Sequence, residues 1–438
     1  MTETSTKRAV PRRSKWTIPF FTIWTGQAFS LIGSQILQFA LVWWLTQLTG
    51  SATVLATATL MAVLPQVFLG PIAGAYVDRW NRRVVMIAAD GLVALVALWL
   101  AYLFWTDQMQ VWHVYVGMLV RAVGGCFHWP AMQASTSLMV PEEHLTRVAG
   151  LNQSMQGALT VIGPPLGALF LGMIPLHGIM LMDVATAILA IVPLFFVHIP
   201  QPEKHEEKRK LSVWSDLREG LRYVKGWPGL LAVIVMATVI NFITNPAFSL
   251  MPLLVTEHFQ GDALQLGWLE SSWGVGLVLG GLILSAWGGF RQRVYTSLTA
   301  LMVEGAAVAL VGLAPANGFW LAVAGMFVAG SMNAFVNGPL FALLQGSVAA
   351  DMQGRVFTVM QSLSWAAWPL SLAAAGPIAD AVGVRPWYVV GGIVSSLMGL
   401  GALFVPVIVN IENNHGGHDA VKSERVAATA VPVQVEIE

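Results

Sequence analysis

Gly74-Ala75-Tyr76-Val77-Asp78-Arg79-Trp80-Asn81-Arg82-Arg83 is the stretch that decides how this chain folds. No charged residue occurs between Lys15 and Asp78, and after Arg83 the sequence turns apolar again. One acid and three guanidinium groups therefore sit in a short link between two hydrophobic runs. A charge at the centre of a bilayer costs roughly 2.5–3.5 kcal/mol on insertion scales, so this link must lie at a membrane surface. Three Arg in a short link put that surface in the cytoplasm, because cytoplasmic loops carry the excess of Lys and Arg.

The rest of the composition agrees. The chain has 438 residues, 56% hydrophobic and 11% charged, against about 25% charged in soluble domains. This is the composition of a polytopic membrane protein. The single cysteine, Cys126, lies in an apolar run, which excludes an intrachain disulfide or a thiolate metal centre. There is no nucleotide-binding loop, catalytic triad or metal-ligand spacing. The expectation is therefore neither an enzyme nor a nucleic-acid binder, with no cofactor and no metal. The N-terminal basic tail precedes an apolar segment too long for a signal-peptide core, so that segment reads as a retained first helix.

About 20 apolar residues cross a bilayer. Twelve such spans are expected, near 18–46, 52–77, 84–105, 111–138, 147–173, 178–199, 229–255, 264–287, 294–314, 318–346, 356–381 and 386–409. With these spans, all but two of the 23 Lys and Arg fall on one side. The exceptions are Arg385, in an outer link, and Arg121, inside the fourth span. That asymmetry places both termini in the cytoplasm.

The chain also repeats. Glu143-x3-Arg147-Val148-x4-Gln153-Ser154 returns half a chain later as Asp351-x3-Arg355-Val356-x4-Gln361-Ser362, and Gly50-Ser51-Ala52 as Gly261-Asp262-Ala263. Gly288-Gly289-Phe290-Arg291-Gln292-Arg293 stands where a second copy of the opening stretch belongs, without its Asp. Two homologous six-helix halves follow. The expected organisation is a basic tail at 1–15, a first half at 16–199, a linker at 200–228, a second half at 229–409 and a polar tail at 410–438. In the linker, Trp214, Leu217, Leu221 and Val224 recur at helical spacing beside Arg218, Arg222 and Lys225. This is either an amphipathic helix on the inner leaflet or a plain tether. His415 and His418 in the tail are not taken as a metal site.

The pattern G-x-x-x-D-R-x-x-R-R resembles the loop signature of the major facilitator superfamily, between its second and third helices. The stretches 21–31 and Leu48-Thr49-Gly50-Ser51-Ala52 look like the macrolide-efflux branch, a group of drug/proton antiporters. Glu270-x-x-Trp273-x-x-Gly276-x-x-x-Gly280-Gly281 extends the likeness into the second half. The resemblance implies an all-α membrane protein of twelve helices in two halves. It implies export of bulky amphipathic compounds, such as macrolide antibiotics, by proton antiport and alternating access. A monomer in the cell membrane, with a small-molecule substrate, protons and lipid as its partners, is expected. Similar sequences export siderophores or lipids, and a membrane partner or sensor that has lost transport is the alternative of a different class.

Site residues follow from the same likeness. Gly74, Asp78, Arg79, Arg82 and Arg83 would form the cytoplasmic gate, with Asp78 at the start of the eleventh helix near Arg355 and the arginines on acidic lipid and neighbouring carboxylates. A carboxylate suits the positive end of a helix. Arg121, charged in mid-membrane, must face a cavity or an acid. Arg121-x-x-Gly124-Gly125 resembles the fourth-helix motif of antiporters, although Gly124 replaces its usual Gln. Gly163-Pro164-Pro165-x-Gly167 partly matches the fifth-helix antiporter motif, whose small residues let helices approach. Of five acids in or near spans, Glu270 is favoured for proton coupling and Asp183 is second. Asp90 and Glu304 are expected at the periphery as partners of arginines, and Asp380 as a cap or gate. His113 and His128 lie deep in spans, and His128 either shares a cavity with Arg121 or is satisfied by packing. The substrate cavity is expected from Gln27 and Gln38 on one face, Asn241 and Asn245, Trp273, Asn333 and Asn337 with Phe341, and Gln361 with Trp365 and Trp368. Amides and indoles suit a large, mostly apolar ligand.

Overall fold

A computed structural model describes residues 16–77, 79–197, 199–201, 213–348 and 352–412. The tails, Asp78 and most of the linker's charged stretch lie outside the described residues. Helices account for nearly all of what is described. The first half holds α1 (Thr17–Thr49), α2 (Ala52–Val77), α3 (Arg82–Trp105), α4 (Val111–Met139), α5 (Glu142–Met173) and α6 (Leu176–Phe196). A connecting helix, α7 (Val213–Lys225), leads to α8 (Pro228–Ser249), the short α9 (Met251–Leu253) and a π-helical turn at Leu254–His258. Then come α10 (Ala263–Trp287), α11 (Arg293–Leu313), α12 (Phe319–Ser347), α13 (Gln353–Val382), α14 (Arg385–Ala402) and the short α15 (Pro406–Val409). The long helices match the expected twelve spans.

Short links cap these helices tightly. Gly50 adopts a left-handed φ of 57° and closes α1 onto the Thr46 carbonyl, a geometry that suits glycine. The Asn81 side chain accepts from the N–H groups of Arg83 and Val84 to start α3. Asp262 and Gln265 form a reciprocal capping box on α10. His113 proves to be part of such a cap and not a deep residue, because its Nδ1 accepts from the Gln110 N–H in the first turn of α4. The seventh span also departs from the single helix expected over 229–255. It breaks after Ser249, next to Pro246 and Pro252, which cannot donate backbone hydrogen bonds.

The two halves share one internal plan. At the start of α3, Arg82 donates to the Ala134 carbonyl at 2.7 Å, near the end of α4. At the start of α11, Arg293 donates to the Ala342 carbonyl at 3.0 Å, near the end of α12. Corresponding arginines of the repeat therefore make corresponding bonds. Close helix pairs rely on small residues. A Cβ on Gly276 would run into the Phe327 carbonyl, and one on Gly330 into the Trp273 carbonyl, so α10 and α12 touch backbone to backbone. Phe196, Trp105, Met173 and Leu370 point outward and exposed, as lipid-facing side chains do.

Tyr223, Val224 and Trp227 are buried in one cluster with Leu230, Val356 and Val359, so the end of α7 packs on the second half. Glu219 meets Arg355 at 2.8 Å, and Gly220 lies against the Arg355 backbone. The side chains of Trp214 and Leu217 are outside the described set.

Candidate functional site

The halves converge at the end of the molecule opposite Arg79–Arg83. There the Asp380 carboxylate, at the last turn of α13, caps the first turn of α2 from the other half. It accepts from the Ala52 N–H at 2.6 Å, the Thr53 N–H at 3.1 Å and the Ser51 hydroxyl at 3.1 Å. Four N–H groups at a helix start have no partner within the helix. Asp380 takes two of them, and Ser51 Oγ accepts from a third, Val54, at 3.4 Å. A Cβ on Gly376 would come within 2.7 Å of the Thr53 Cα, so α13 and α2 are in close contact there.

A second junction joins α5 to α10. Pro165 has no N–H, so the Val161 carbonyl one turn earlier loses its helical donor. The Ser271 hydroxyl of the other half fills that vacancy at 2.7 Å. Gly267 packs on Pro164 and Pro165, and Gly274 on Thr160. The glycines of the same motif face the other way. Gly163 meets Gln35 and Gly167 meets Phe39, both on α1. The motif thus presents prolines to the opposite half and small residues to its own. Toward the Arg79–Arg83 end the contacts thin out. Gly74, Gly150 and Gly354 have open space where a Cβ would stand, and Gln153, Ser154 and Gln361 are exposed.

Between the halves lies a cavity of about 540 Å³. Glu270 lines it with Gln35, Gln38, Phe39, Trp273 and Trp368. Among the described residues Glu270 makes no hydrogen bond or ion pair. A second cavity, of about 460 Å³, lies within the second half. Asn241, Asn245, Asn333 and Asn337 line it, together with Glu304. Phe248, Trp273 and Trp368 wall both cavities, and Phe248 and Trp273 meet edge to face at 5.6 Å. Glu304 is therefore not a peripheral partner of arginine. Its carboxylate lines this cavity and accepts from the Asn333 amide at 3.0 Å.

The first half carries two polar clusters in its interior. Arg121 on α4 pairs with Asp183 on α6 at 2.6 Å, and Ser34 on α1 donates to Asp183 at 3.0 Å. The Asp183 side chain is fully buried. A buried pair of this kind is costly to break from one side, about 3–5 kcal/mol, because one charge is left uncompensated. Gln27 departs from the cavity role expected of it. It is buried and donates to Asp90 at 2.9 Å. Sharing a helix face with Gln38 does not direct a long amide when a buried carboxylate is within reach. His128 lies 3.3 Å from the same carboxylate. Asp90 is thus met by an amide and an imidazole where an arginine was expected, and His128 faces Asp90 and not Arg121.

Of the gate stretch, Arg82 and Arg83 are bonded to helix-end carbonyls, Arg82 to Ala134 and Arg83 to Phe195 at 2.6 Å. They fasten the link to its own half through the negative ends of α4 and α6. Arg79 is exposed, and Asp78 lies outside the described residues. Phe341 is half-exposed and stacks near Phe357, away from both cavities. Gln361 is exposed, and the Trp365 side chain is outside the described set.

Gln35 and Phe248 are cavity residues that the sequence did not single out as such, whereas Trp368 was expected there. Gln35 sits one turn before Gln38, and that spacing was the available signal. Ser271 was invisible because its partner is a carbonyl freed by a proline more than a hundred residues earlier.

Residues 23–371 match the Major Facilitator Superfamily domain. The chain is similar to macrolide efflux protein A of Streptococcus pyogenes, 33% identical over 379 residues that cover 86% of this chain and 94% of that one. It is 28% identical to the multidrug efflux pump Tap of Mycolicibacterium fortuitum, over 85% of this chain and 92% of that protein. In fold it is similar to a POT family transporter crystallised with a thioalcohol-conjugated peptide, with a TM-score of 0.68 at 13% identity. That match covers 90% of this chain and 96% of the other.

Proposed function

Because the chain belongs to the major facilitator superfamily, we propose that it is a proton-driven exporter of bulky amphipathic compounds, macrolide-type antibiotics first among them. Relatives that match most of its length include macrolide efflux protein A and the multidrug efflux pump Tap. The observation that carries the coupling is Glu270, a carboxylate in the cavity between the halves that has no hydrogen-bond partner among the described residues. A charge placed there is expensive unless something neutralises it, and a proton is the simplest partner.

In this reading the Arg79–Arg83 end faces the cytoplasm, both termini lie inside, and a single chain works alone in the cell membrane. The halves are closed at the outer end by Asp380 and by the α5–α10 junction, so the central cavity opens inward. An amphipathic ligand enters from the cytoplasmic side and stacks on Trp273, Trp368 and Phe248, with Gln35 and Gln38 as hydrogen-bonding groups. Glu270 gives up its proton to the cytoplasm when ligand binds. The halves then rock about the site, closing inside and opening outside. Release outside and capture of a new proton by Glu270 reset the cycle. Inner closure belongs to Gly74, Asp78, Arg79, Arg82 and Arg83, with the Asp78 carboxylate at the start of α13. Asp183 acts with Arg121 as a second station, because a proton on Asp183 would release the guanidinium from its partner.

The test is accumulation of radiolabelled erythromycin in everted membrane vesicles carrying this chain, with and without an imposed proton gradient. Gradient-driven accumulation is expected for the wild type. Glu270→Gln should bind drug as before and accumulate it no faster than vesicles without the gradient. Gradient-driven accumulation by Glu270→Gln equal to wild type removes Glu270 from the mechanism.

A further inference from the structure

The cavity of the second half has a charge pattern that the coupling scheme does not use. Its one ionisable group is Glu304, and no Lys, Arg or His lines it. Several amide N–H groups around the acid bond to the protein itself. Asn337 donates to the Asn333 carbonyl at 3.0 Å and to Asn333 Oδ1 at 3.2 Å, and Asn333 donates to Glu304 Oε1 at 3.0 Å. Asn241 donates one N–H to the Ala237 carbonyl at 2.9 Å. Acceptors remain free beside the acid. Glu304 Oε2, Asn241 Oδ1 and Asn337 Oδ1 have no donor among the described residues. Ser297 Oγ, two turns from Glu304 on the same helix, is buried without a hydrogen-bond partner. The other walls are apolar, with Ile240, Leu301, Val308 and Leu340 among them, and the indole of Trp368 closes one side.

Each feature selects against one ligand class. An anion would meet a carboxylate with no compensating cation. A neutral ligand supplies no counter-charge to the ionised carboxylate in a mostly apolar space and would meet the protonated acid only. A cation with an apolar body satisfies the acid, the free acceptors, the apolar walls and the aromatic face together. We propose that the second-half cavity is a recognition subsite for the protonated amine of an amphipathic substrate, with Glu304 as its counter-ion and Asn333 and Asn337 as the groups that hold the carboxylate in place. This rests on the export reading above and adds the chemical class of the substrate. Its position also assigns a division of labour. Glu270 lies in the gap between the halves, Glu304 lies within one half, and Phe248, Trp273 and Trp368 form the shared wall between them.

The test compares erythromycin A, a tertiary amine that is protonated at neutral pH, with its N-oxide, which has the same skeleton and no net charge there. Binding is measured by equilibrium dialysis to the purified full-length chain in lipid nanodiscs. The wild type should prefer the amine by about tenfold or more, the scale of one charge-assisted contact. Glu304→Gln should lose that preference while still binding the N-oxide, which also reports that the cavity is intact, and Glu304→Asp should keep it. In the unmodified protein, carbodiimide modification of Glu304, mapped by mass spectrometry, should be slowed by the amine and not by the N-oxide. A wild type without preference, a Glu304→Gln variant that keeps it, or equal protection by both compounds overturns the proposal. Everted vesicles separate the two levels. If neither compound is transported, the export reading fails, whereas equal transport of both with no binding preference leaves export standing and removes the subsite.

Discussion

Replacing Asp380 by Asn should shift the protein toward the state open at the outer end. In the closed end, the carboxylate receives two backbone N–H groups and one hydroxyl from the first turn of α2. When the halves part there, those donors turn to water. Asn keeps one acceptor oxygen but loses the charge, and with it the attraction to the positive helix end. Asp380 is exposed, so solvent screens the contact, and an N-terminal cap of this kind contributes about 1 kcal/mol. That corresponds to a change of about fivefold in the ratio of the two states. The assay uses the cavity itself. Gln38 lines the space between the halves, and Cys126 is the only native cysteine. In a Cys126→Ala background, Gln38→Cys is labelled from outside intact cells by a membrane-impermeant maleimide. Asp380→Asn should raise the labelling rate about fivefold, in line with the population shift. An unchanged or slower rate, at normal expression, would refute the idea that this cap holds the outer end shut.

Three further outcomes follow from the packing. Arg121→Ala leaves Asp183 charged and buried, so it should cost about 3–5 kcal/mol, while Arg121→Leu with Asp183→Leu should recover much of that; thermal unfolding in detergent measures both, and equal stability of the single and double variants argues against the pairing. Gly276→Ala should lower the melting temperature, since its Cβ would meet the Phe327 carbonyl and such overpacking costs about 1–3 kcal/mol; a melting curve identical to wild type would mean that α10 and α12 are less closely packed than described. Ser271→Ala leaves the Val161 carbonyl of the other half unsatisfied, a loss of about 1–3 kcal/mol from the outer-closed state alone. It should therefore raise labelling at Gln38→Cys in the same way as Asp380→Asn, and a rise in neither variant would place outer closure elsewhere.

The sequence by itself determined the membrane class, the number of long helices and the two-half plan. These depend on hydrophobic run length, on where Lys and Arg fall, and on a repeat half a chain long, all properties of the chain read in order. It also picked out Glu270, Gln38 and the second-half asparagines as residues of cavity-lining faces. Only the tertiary structure decided which polar groups meet. Gln27 and Gln38 share a face of α1, yet one bonds Asp90 and the other lines the gap between the halves. Glu304, expected at the periphery, lines the second-half cavity and bonds Asn333. Arg121 finds Asp183, and Ser271 finds the carbonyl that Pro165 leaves free. A polar group in an apolar interior takes whichever partner the packed helices bring within about 3 Å. Periodicity along one helix fixes the face of a side chain, but the partner comes from another helix, and its distance is set only when both are packed.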